Sequence, residues 1–506
     1  MVTKIKSSAL NGVDGYIVDV ETDIGRGMPG FDIVGLPGSA VKESRDRVRS
    51  AIKNSGIEFP ARHITVNLAP ASTKKEGPAF DLPIAVSILG SMNAIDATKL
   101  ATVVFLGELS LDGSLRSVKG VLSMVHSAFK DGYKKFVVPI QNAEEAALVE
   151  GIDVYGVDSL NELLRHLRTP FLKPTKIDHS VNRQVHLTSA IDFADVKGQH
   201  KVKRALEIAA AGYHNILMLG PPGSGKTMMA KCLPGIMPPL ELEESIEATK
   251  IYSICGMLEK DSALITKRPF RSPHHTSSYV SLSGGGSNPR PGEMSLAHKG
   301  ILFLDELPEF NRNTLETLRQ PMEERRITIS RAANSVTYPS DFLLIAAMNP
   351  CPCGNLYSEN DCKCSLSSIR QYISRISEPL LDRIDIHIET TMPTYDEIDD
   401  GTKGEPSSII RERVLKAIAI QRERYKSSSI LYNAQLSSKQ IEEFCRIDEA
   451  SKQLVKGMFE KLGFSVRSYH KILKIARSIA DLDGVTDITE AHVLEAMNFR
   501  KLMRER

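Results

Sequence analysis

In the first third of the chain, apolar and polar residues alternate in short bursts. Gly15-Tyr16-Ile17-Val18-Asp19-Val20 and Ile64-Thr65-Val66-Asn67-Leu68 read as strands. Between them, Ser39 to Asn54 spaces its apolar residues helically among charges. Beyond Ile191 the strands change character. Asn215-Ile216-Leu217-Met218-Leu219, Ile301-Leu302-Phe303-Leu304 and the run from Phe342 to Met348 are continuously apolar, as strands buried on both faces of a parallel sheet must be. From Ile409 onward the pattern is helical, and several of these stretches open on Ser, Thr or Asp in a capping position. The shifts predict a multidomain α/β protein. Residues 1–170 form one α/β domain, 171–189 an aperiodic, Pro-containing linker, and 190–395 a second α/β core. A polar connection follows at 396–408, then a helical domain at 409–506.

Composition narrows the picture a little. Of 506 residues, 42% are hydrophobic and 25% charged, ordinary for a soluble globular protein. A net charge of +2 does not point to nucleic acid, so any such surface has to be a local basic patch. No Trp and only 6% aromatics leave little for base stacking. The first residues lack the apolar core of a secretory signal, and no apolar run is long enough to span a bilayer. The expectation is a cytoplasmic protein without a membrane partner. In that compartment seven cysteines do not make a disulfide framework.

The chemistry starts at Gly220-Pro221-Pro222-Gly223-Ser224-Gly225-Lys226-Thr227, a phosphate loop between a buried-strand run and a helix. Its glycines let backbone amides wrap phosphate oxygens, Lys226 reaches the β- and γ-phosphates of ATP, and the Thr227 hydroxyl ligates Mg²⁺. A second buried strand ends in Asp305 and Glu306, placed to hold the Mg²⁺ shell and to polarise the attacking water. Acidic residues after a strand are common as mere surface; following a phosphate loop in one domain, they are not. A third such strand ends in Asn349, which orients the water or contacts the γ-phosphate, unless it only forms a turn before Pro350.

This order of motifs, followed by Leu380-Leu381-Asp382-Arg383-Ile384-Asp385, resembles an AAA+ ATPase. The resemblance implies a ring, with Arg383 as the finger that completes the neighbour's site. The alternative for Arg383 is a surface ion-pair cluster with Asp382 and Asp385. Arg467 matches the family's second sensor arginine, against a plain solvated helix start. Asp195-Val196-Lys197-Gly198-Gln199 resembles the segment that covers adenine. RPFRSPHHTSSYVSLSGGGSNPRPGEMSLAHKGILFLDE resembles the insert and strand of the magnesium-chelatase-like branch. Ile327 to Ser330 and Ser335 to Tyr338 alternate as a hairpin similar to the pore hairpin of DNA-translocating relatives. Arg325, Arg326 and Arg331 give it positive charge for phosphate contacts, although an ordinary charged surface hairpin reads the same way.

Cys351, Cys353, Cys362 and Cys364 put four thiols within fourteen residues, enough to close a structural Zn²⁺ site. The Cys-X-Cys spacing is off the usual two-residue pattern. Cys232, Cys255 and Cys445 read as ordinary buried thiols. The N-terminal domain resembles the Lon-protease-like (ribosomal S5-like) fold. Gly77-Pro78 is followed by Ala79 where a Lon protease needs its serine, and no lysine stands at the later position, so peptidase activity is not expected. Together these features are similar to the YifB/ComM family of bacterial magnesium-chelatase-like ATPases. That resemblance implies a homo-hexameric motor acting on single-stranded or branched DNA, driving branch migration when incoming DNA is integrated during natural transformation. The competing reading is a protein-remodelling or metal-insertion ATPase, as in magnesium chelatase itself.

Overall fold

The computed structural model describes residues 2–176, 191–258, 263–286, 289–331, 334–356, 361–399, 404–428, 430–462 and 465–500. Within them the chain divides into two compact units.

The first unit is built on a seven-stranded mixed sheet. Its strands are β1 (Thr3–Asn11), β2 (Asp14–Gly25), β3 (Gly30–Val34), β4 (His63–Ala69), β5 (Val103–Phe105), β8 (Lys135–Pro139) and β9 (Asp153–Val157), in the order β3-β4-β2-β1-β5-β8-β9. The short β6 (Glu108–Leu109) and β7 (Leu115–Arg116) pair separately. Strand alternation divides the sheet's residues between two cores. Val103, Phe105, Val137 and Val157 pack with the helices Ser39–Asn54 and Asp81–Ser91. Val104, Phe136, Val138 and Val154 pack with the helix Val121–Lys130.

That second core also takes in Leu264, with Ile246 and Ala263 against it. The segment Glu241–Thr266, with its helix Leu242–Cys255, therefore belongs to the first unit, as does Ser330–Tyr338. The stretch expected as a 190–395 core is thus shared between the two units. Buried polar groups account for the docking. The Glu145 carboxylate accepts from the Ser253 hydroxyl and from Leu122 N at 3.0 Å, and Lys250 Nζ donates to His126 Nδ1 at 2.9 Å. Leaving such buried groups unpaired would cost about 1–3 kcal/mol each.

The second unit holds a five-stranded parallel sheet. Its strands are β10 (Ile216–Leu219), β11 (Phe270–Arg271), β14 (Ile301–Leu304), β17 (Leu343–Met348) and β18 (Ile386–Glu389), in the order β11-β14-β17-β10-β18. The short β12 (Gly284–Gly285) and β13 (Arg290–Pro291) pair in the insert, and β15 (Arg326–Arg331) and β16 (Asn334–Pro339) form the expected hairpin. Every residue of β10, β14 and β17 is buried, as their unbroken apolar runs require. The helices Ser407–Arg424, Ser438–Phe444, Glu449–Leu462, Val466–Leu482 and Glu490–Asn498 follow. Ile410, Val414, Ile472 and Ile479 share one apolar core with Ile216, Ile301 and the helix His200–Gly212, so the helical part is continuous with the sheet domain.

The 396–408 connection is partly helical, because Tyr395–Asp399 forms a turn of helix and the next helix starts at Ser407. Most of the 171–189 linker lies outside the described residues, and 171–176 carry no regular structure. No helix among the described residues is long and apolar enough to cross a membrane.

Candidate functional site

Parallel strands bring the three polar strand ends together. β14 pairs with β17 and β17 with β10, so Asp305, Asn349 and the loop after Leu219 emerge side by side at the carboxyl edge of the sheet. The loop needs its glycines. A Cβ on Gly220 would lie 2.0 Å from Thr390 Oγ1, and Gly223 and Gly225 adopt φ of +80° and +82°. Such left-handed turns present successive amides toward an anion. Ser224 Oγ braces the loop by donating to Pro221 O at 2.8 Å.

Lys226 is buried, and its Nζ donates to Gly220 O and Pro221 O, each at 2.8 Å, and to Asn349 Oδ1 at 3.3 Å. Burial lowers its pKa, which the nearby Asp305 partly offsets. These three oxygens hold the ammonium in place as weak partners that a phosphate can replace. Thr227 Oγ1 donates to Asp305 Oδ2 at 2.7 Å. Two cis ligands of an octahedral Mg²⁺ lie about 2.9 Å apart for Mg–O of 2.0–2.1 Å, so this pair suits the ion with little adjustment.

Glu306 follows with φ of +52°, a left-handed conformation that a glutamate adopts only under constraint. His275 Nδ1 stands 3.0 Å from Glu306 Oε2, and His274 lies on the His275 ring at 4.1 Å between centroids. This partner was missed from sequence. Its only signal was the adjacent His pair in the insert.

Arg383 and Arg467 converge on a residue that the motifs did not single out. Arg383 Nη2 pairs with Glu323 Oε1 at 2.8 Å, and Arg467 Nη2 donates to the same oxygen. Arg383 is thus turned to Glu323 and not into a cluster with Asp382 and Asp385. Asp385 instead forms a buried ion pair with Lys471 Nζ at 2.8 Å and accepts from the Asn215 amide at 3.0 Å. Arg500 completes the brace, donating through Nη1 to Ile384 O at 2.6 Å and through Nη2 to Ser468 Oγ at 3.2 Å. Asp192 to Gln199 leads into the helix His200–Gly212, and Val196, Lys197, Gly198 and His200 line a cavity of about 410 Å³.

The four cysteine sulfurs lie within 4.8 Å of one another. Cys351 and Cys353 are each 3.7 Å from Cys362, and 3.4 Å from each other. A tetrahedral Zn²⁺ with Zn–S of about 2.3 Å sets its sulfurs about 3.8 Å apart, so the cluster has the size of that site and not of a disulfide. The loop backs onto the phosphate loop: a Cβ on Gly354 would lie 2.7 Å from Pro222 Cδ. Cys232 and Cys445 are buried as expected, whereas Cys255 is only partly so.

Among the basic hairpin candidates, Arg325 pairs with Asp341 at 3.5 Å and Arg326 with Glu324 at 3.3 Å. Arg331 ends β15, and its side chain lies outside the described residues.

Residues 192–398 match the family described as magnesium chelatase, subunit ChlI; residues 20–142 match subunit ChlI of Mg-chelatase; and residues 404–500 match the ChlI C-terminal family. The chain is 42% identical to competence protein ComM of Haemophilus influenzae over 99% of its own length and 97% of that protein's. It is also 42% identical, with the same coverage, to the uncharacterized protein YifB of Escherichia coli. Lon protease of Rhizobium meliloti is 25% identical over 31% of this chain and 21% of its own length.

Proposed function

Because this chain belongs to the YifB/ComM family of magnesium-chelatase-like AAA+ ATPases, we propose that it is a ring-forming DNA translocase promoting branch migration in recombination of incoming DNA. One observation carries the motor chemistry: Lys226 bonds Asn349 and Thr227 bonds Asp305, two hydrogen-bonded pairs at adjoining strand ends. In this reading the loop from Gly220 to Gly225 wraps the phosphates, and Lys226 exchanges its carbonyl partners for β- and γ-phosphate oxygens. Thr227 and Asp305 hold Mg²⁺, which neutralises charge on the phosphates when bound. Glu306 orients and deprotonates the attacking water, and Asn349 fixes its position. Arg383 and Arg467 serve the phosphate of an adjoining subunit in a homo-hexamer. Cys351, Cys353, Cys362 and Cys364 hold Zn²⁺, leaving no ligand position for catalysis.

Whole-length similarity to a competence protein supports DNA as the partner, together with Arg325, Arg326 and Arg331 around the hairpin. The three chelatase-subunit matches favour a second reading, a motor that remodels a protein. The two are separated by migration of a three-stranded or four-way junction, with wild type beside Glu306→Gln and Lys226→Ala. DNA-stimulated ATPase and junction movement lost in both variants supports the first. Absence of DNA binding at low salt, with stimulation by a protein partner, establishes the second.

A further inference from the structure

We infer that Glu323 is the resident counter-ion of a two-guanidinium anion site, holding Arg383 and Arg467 together until the terminal phosphate bound by an adjoining subunit displaces it. The inference rests on the reading of those arginines given above.

The two arginines are anchored from behind. Lys471, one turn along from Arg467, is buried against Asp385, two residues after Arg383. Arg500 ties Ile384 to Ser468 at the start of the same helix. Arg383 Nη1 donates to Pro379 O at 2.7 Å. Its side chain is only 9% exposed, and its Nε is buried without a hydrogen-bond partner. The held Arg383 guanidinium, with a donor still free, is built for more oxygens than it now meets, and Arg467 brings a second guanidinium beside it.

The anionic oxygen it now meets belongs to one carboxylate. Glu323 Oε1 takes both arginines from a side chain that is 44% exposed, on the short helix Arg319–Glu324. Burial pushes its carboxyl up, but the two guanidinium groups outweigh this and hold it below the usual glutamate range. It is therefore an anion at neutral pH and competes for the site. A phosphate offers three oxygens and more charge, which suits planar guanidinium donors better than a single carboxylate oxygen.

Displacement has a direct mechanical consequence. Glu324 and Arg325 alone separate Glu323 from β15, and Arg325 turns the chain with φ of +55°. Arrival of the neighbour's phosphate removes one of the ties on the helix end beside the hairpin, Arg325 keeping its pair with Asp341, so Glu323 couples phosphate state to the base of the hairpin. It is a positioning residue and does not touch the reacting atoms.

The test is steady-state ATPase kinetics of the full-length assembled protein, with and without branched DNA. It compares wild type, Glu323→Gln, Glu323→Asp, Arg383→Ala and Arg467→Ala. Glu323→Gln keeps the shape and removes the competing charge. Its KM for ATP is expected to fall about two- to fivefold, the range of a half-exposed ion pair, with kcat unchanged. The ratio of DNA-stimulated to basal turnover is expected to fall with it. Glu323→Asp restores the carboxylate and returns KM toward wild type. An unaltered KM and DNA ratio in Glu323→Gln, with both arginine variants inactive, overturns the counter-ion role and leaves the arginine reading standing. A raised KM in Glu323→Gln overturns the role in the same way. Wild-type turnover in both arginine variants overturns the arginine reading itself, and this inference with it.

Discussion

Replacing Asp385 by Asn removes the ionic pin behind the two arginines, and its cost follows from the groups that face it. Asp385 is ion-paired with Lys471 Nζ at 2.8 Å and accepts from the Asn215 amide at 3.0 Å, and His214 Nδ1 stands 3.7 Å away. Burial pushes this carboxyl up, but Lys471 and His214 outweigh it and hold it well below the ordinary aspartate range. For Lys471 the balance goes the other way: burial outweighs the carboxylate and brings its pKa from 10.5 down to about 8. The native lysine is therefore charged at pH 7 only because Asp385 faces it. In Asp385→Asn it sheds the proton, and neutralising a group of pKa about 8 at pH 7 costs ~1.4 kcal/mol. Weakened acceptance from the Asn215 amide adds about 1–2 kcal/mol. The sum, ~2–3 kcal/mol, falls at or below the 3–5 of a broken buried pair because the lysine escapes by deprotonating.

The pH dependence of that cost has a definite sign. Unfolded Lys471 keeps its proton up to 10.5 and the native group only to about 8, so between those values this group adds stability as pH rises. Asp385 contributes stability above its ordinary 3.8 and loses it as pH falls through the lower native value. At pH 9 the wild-type lysine is already neutral, and its share of the mutational cost disappears. Scanning calorimetry at pH 7 and pH 9 reads this directly. At pH 7 the transition of Asp385→Asn is expected about 5–10 °C below wild type, and at pH 9 clearly less. Equal drops at the two pH values would refute the ion-pair account.

Two further substitutions probe the site. His275→Ala removes the ring that holds Glu306, and kcat for ATP is expected to fall about two- to fivefold with KM unchanged, as for loss of an exposed ion pair that only positions its partner. An unchanged kcat shows that His275 does not orient Glu306. Structural zinc bound at about 10–16 kcal/mol survives dialysis, so metal analysis of purified protein should find one zinc per chain. Cys353→Ser should lose the zinc and weaken ATP binding, because the cysteine loop lies against Pro222 of the phosphate loop. Zinc-free protein with full ATPase activity rules out both the metal and its support of the loop.

Residues close together in sequence were legible because local rules fix them. The phosphate loop, the apolar strands ending at Asp305 and Asn349, the hairpin and the C-terminal helices each need only neighbouring residues to specify them. Four sulfurs within fourteen positions likewise have little choice but to meet. Segment 241–266 packs away from its sequence neighbours for a related reason. Its sequence position between two ATPase motifs suggested membership of that domain, whereas its apolar residues and Ser253 find partners such as Glu145, 108 positions away.

The same limit explains why Arg383 and Arg467 were recognised as separate residues and never as a pair. Glu323, which joins them, lies 144 positions from Arg467 and sits in a charged helix where a glutamate carries no signal of its own. Asp385, which sequence places in the motif of Arg383, and Lys471, which no motif names, are both buried. A buried charge is tolerated only with a partner, so each implies another buried group somewhere in the chain, and sequence gives no means of saying which. Motif reading therefore recovers the groups that would contact ATP. It misses those that set when the arginines are available, because timing depends on long-range pairs whose members are individually unremarked. If the coupling runs through Glu323, the residues that time this ATPase's cycle lie behind its arginines rather than among its phosphate contacts.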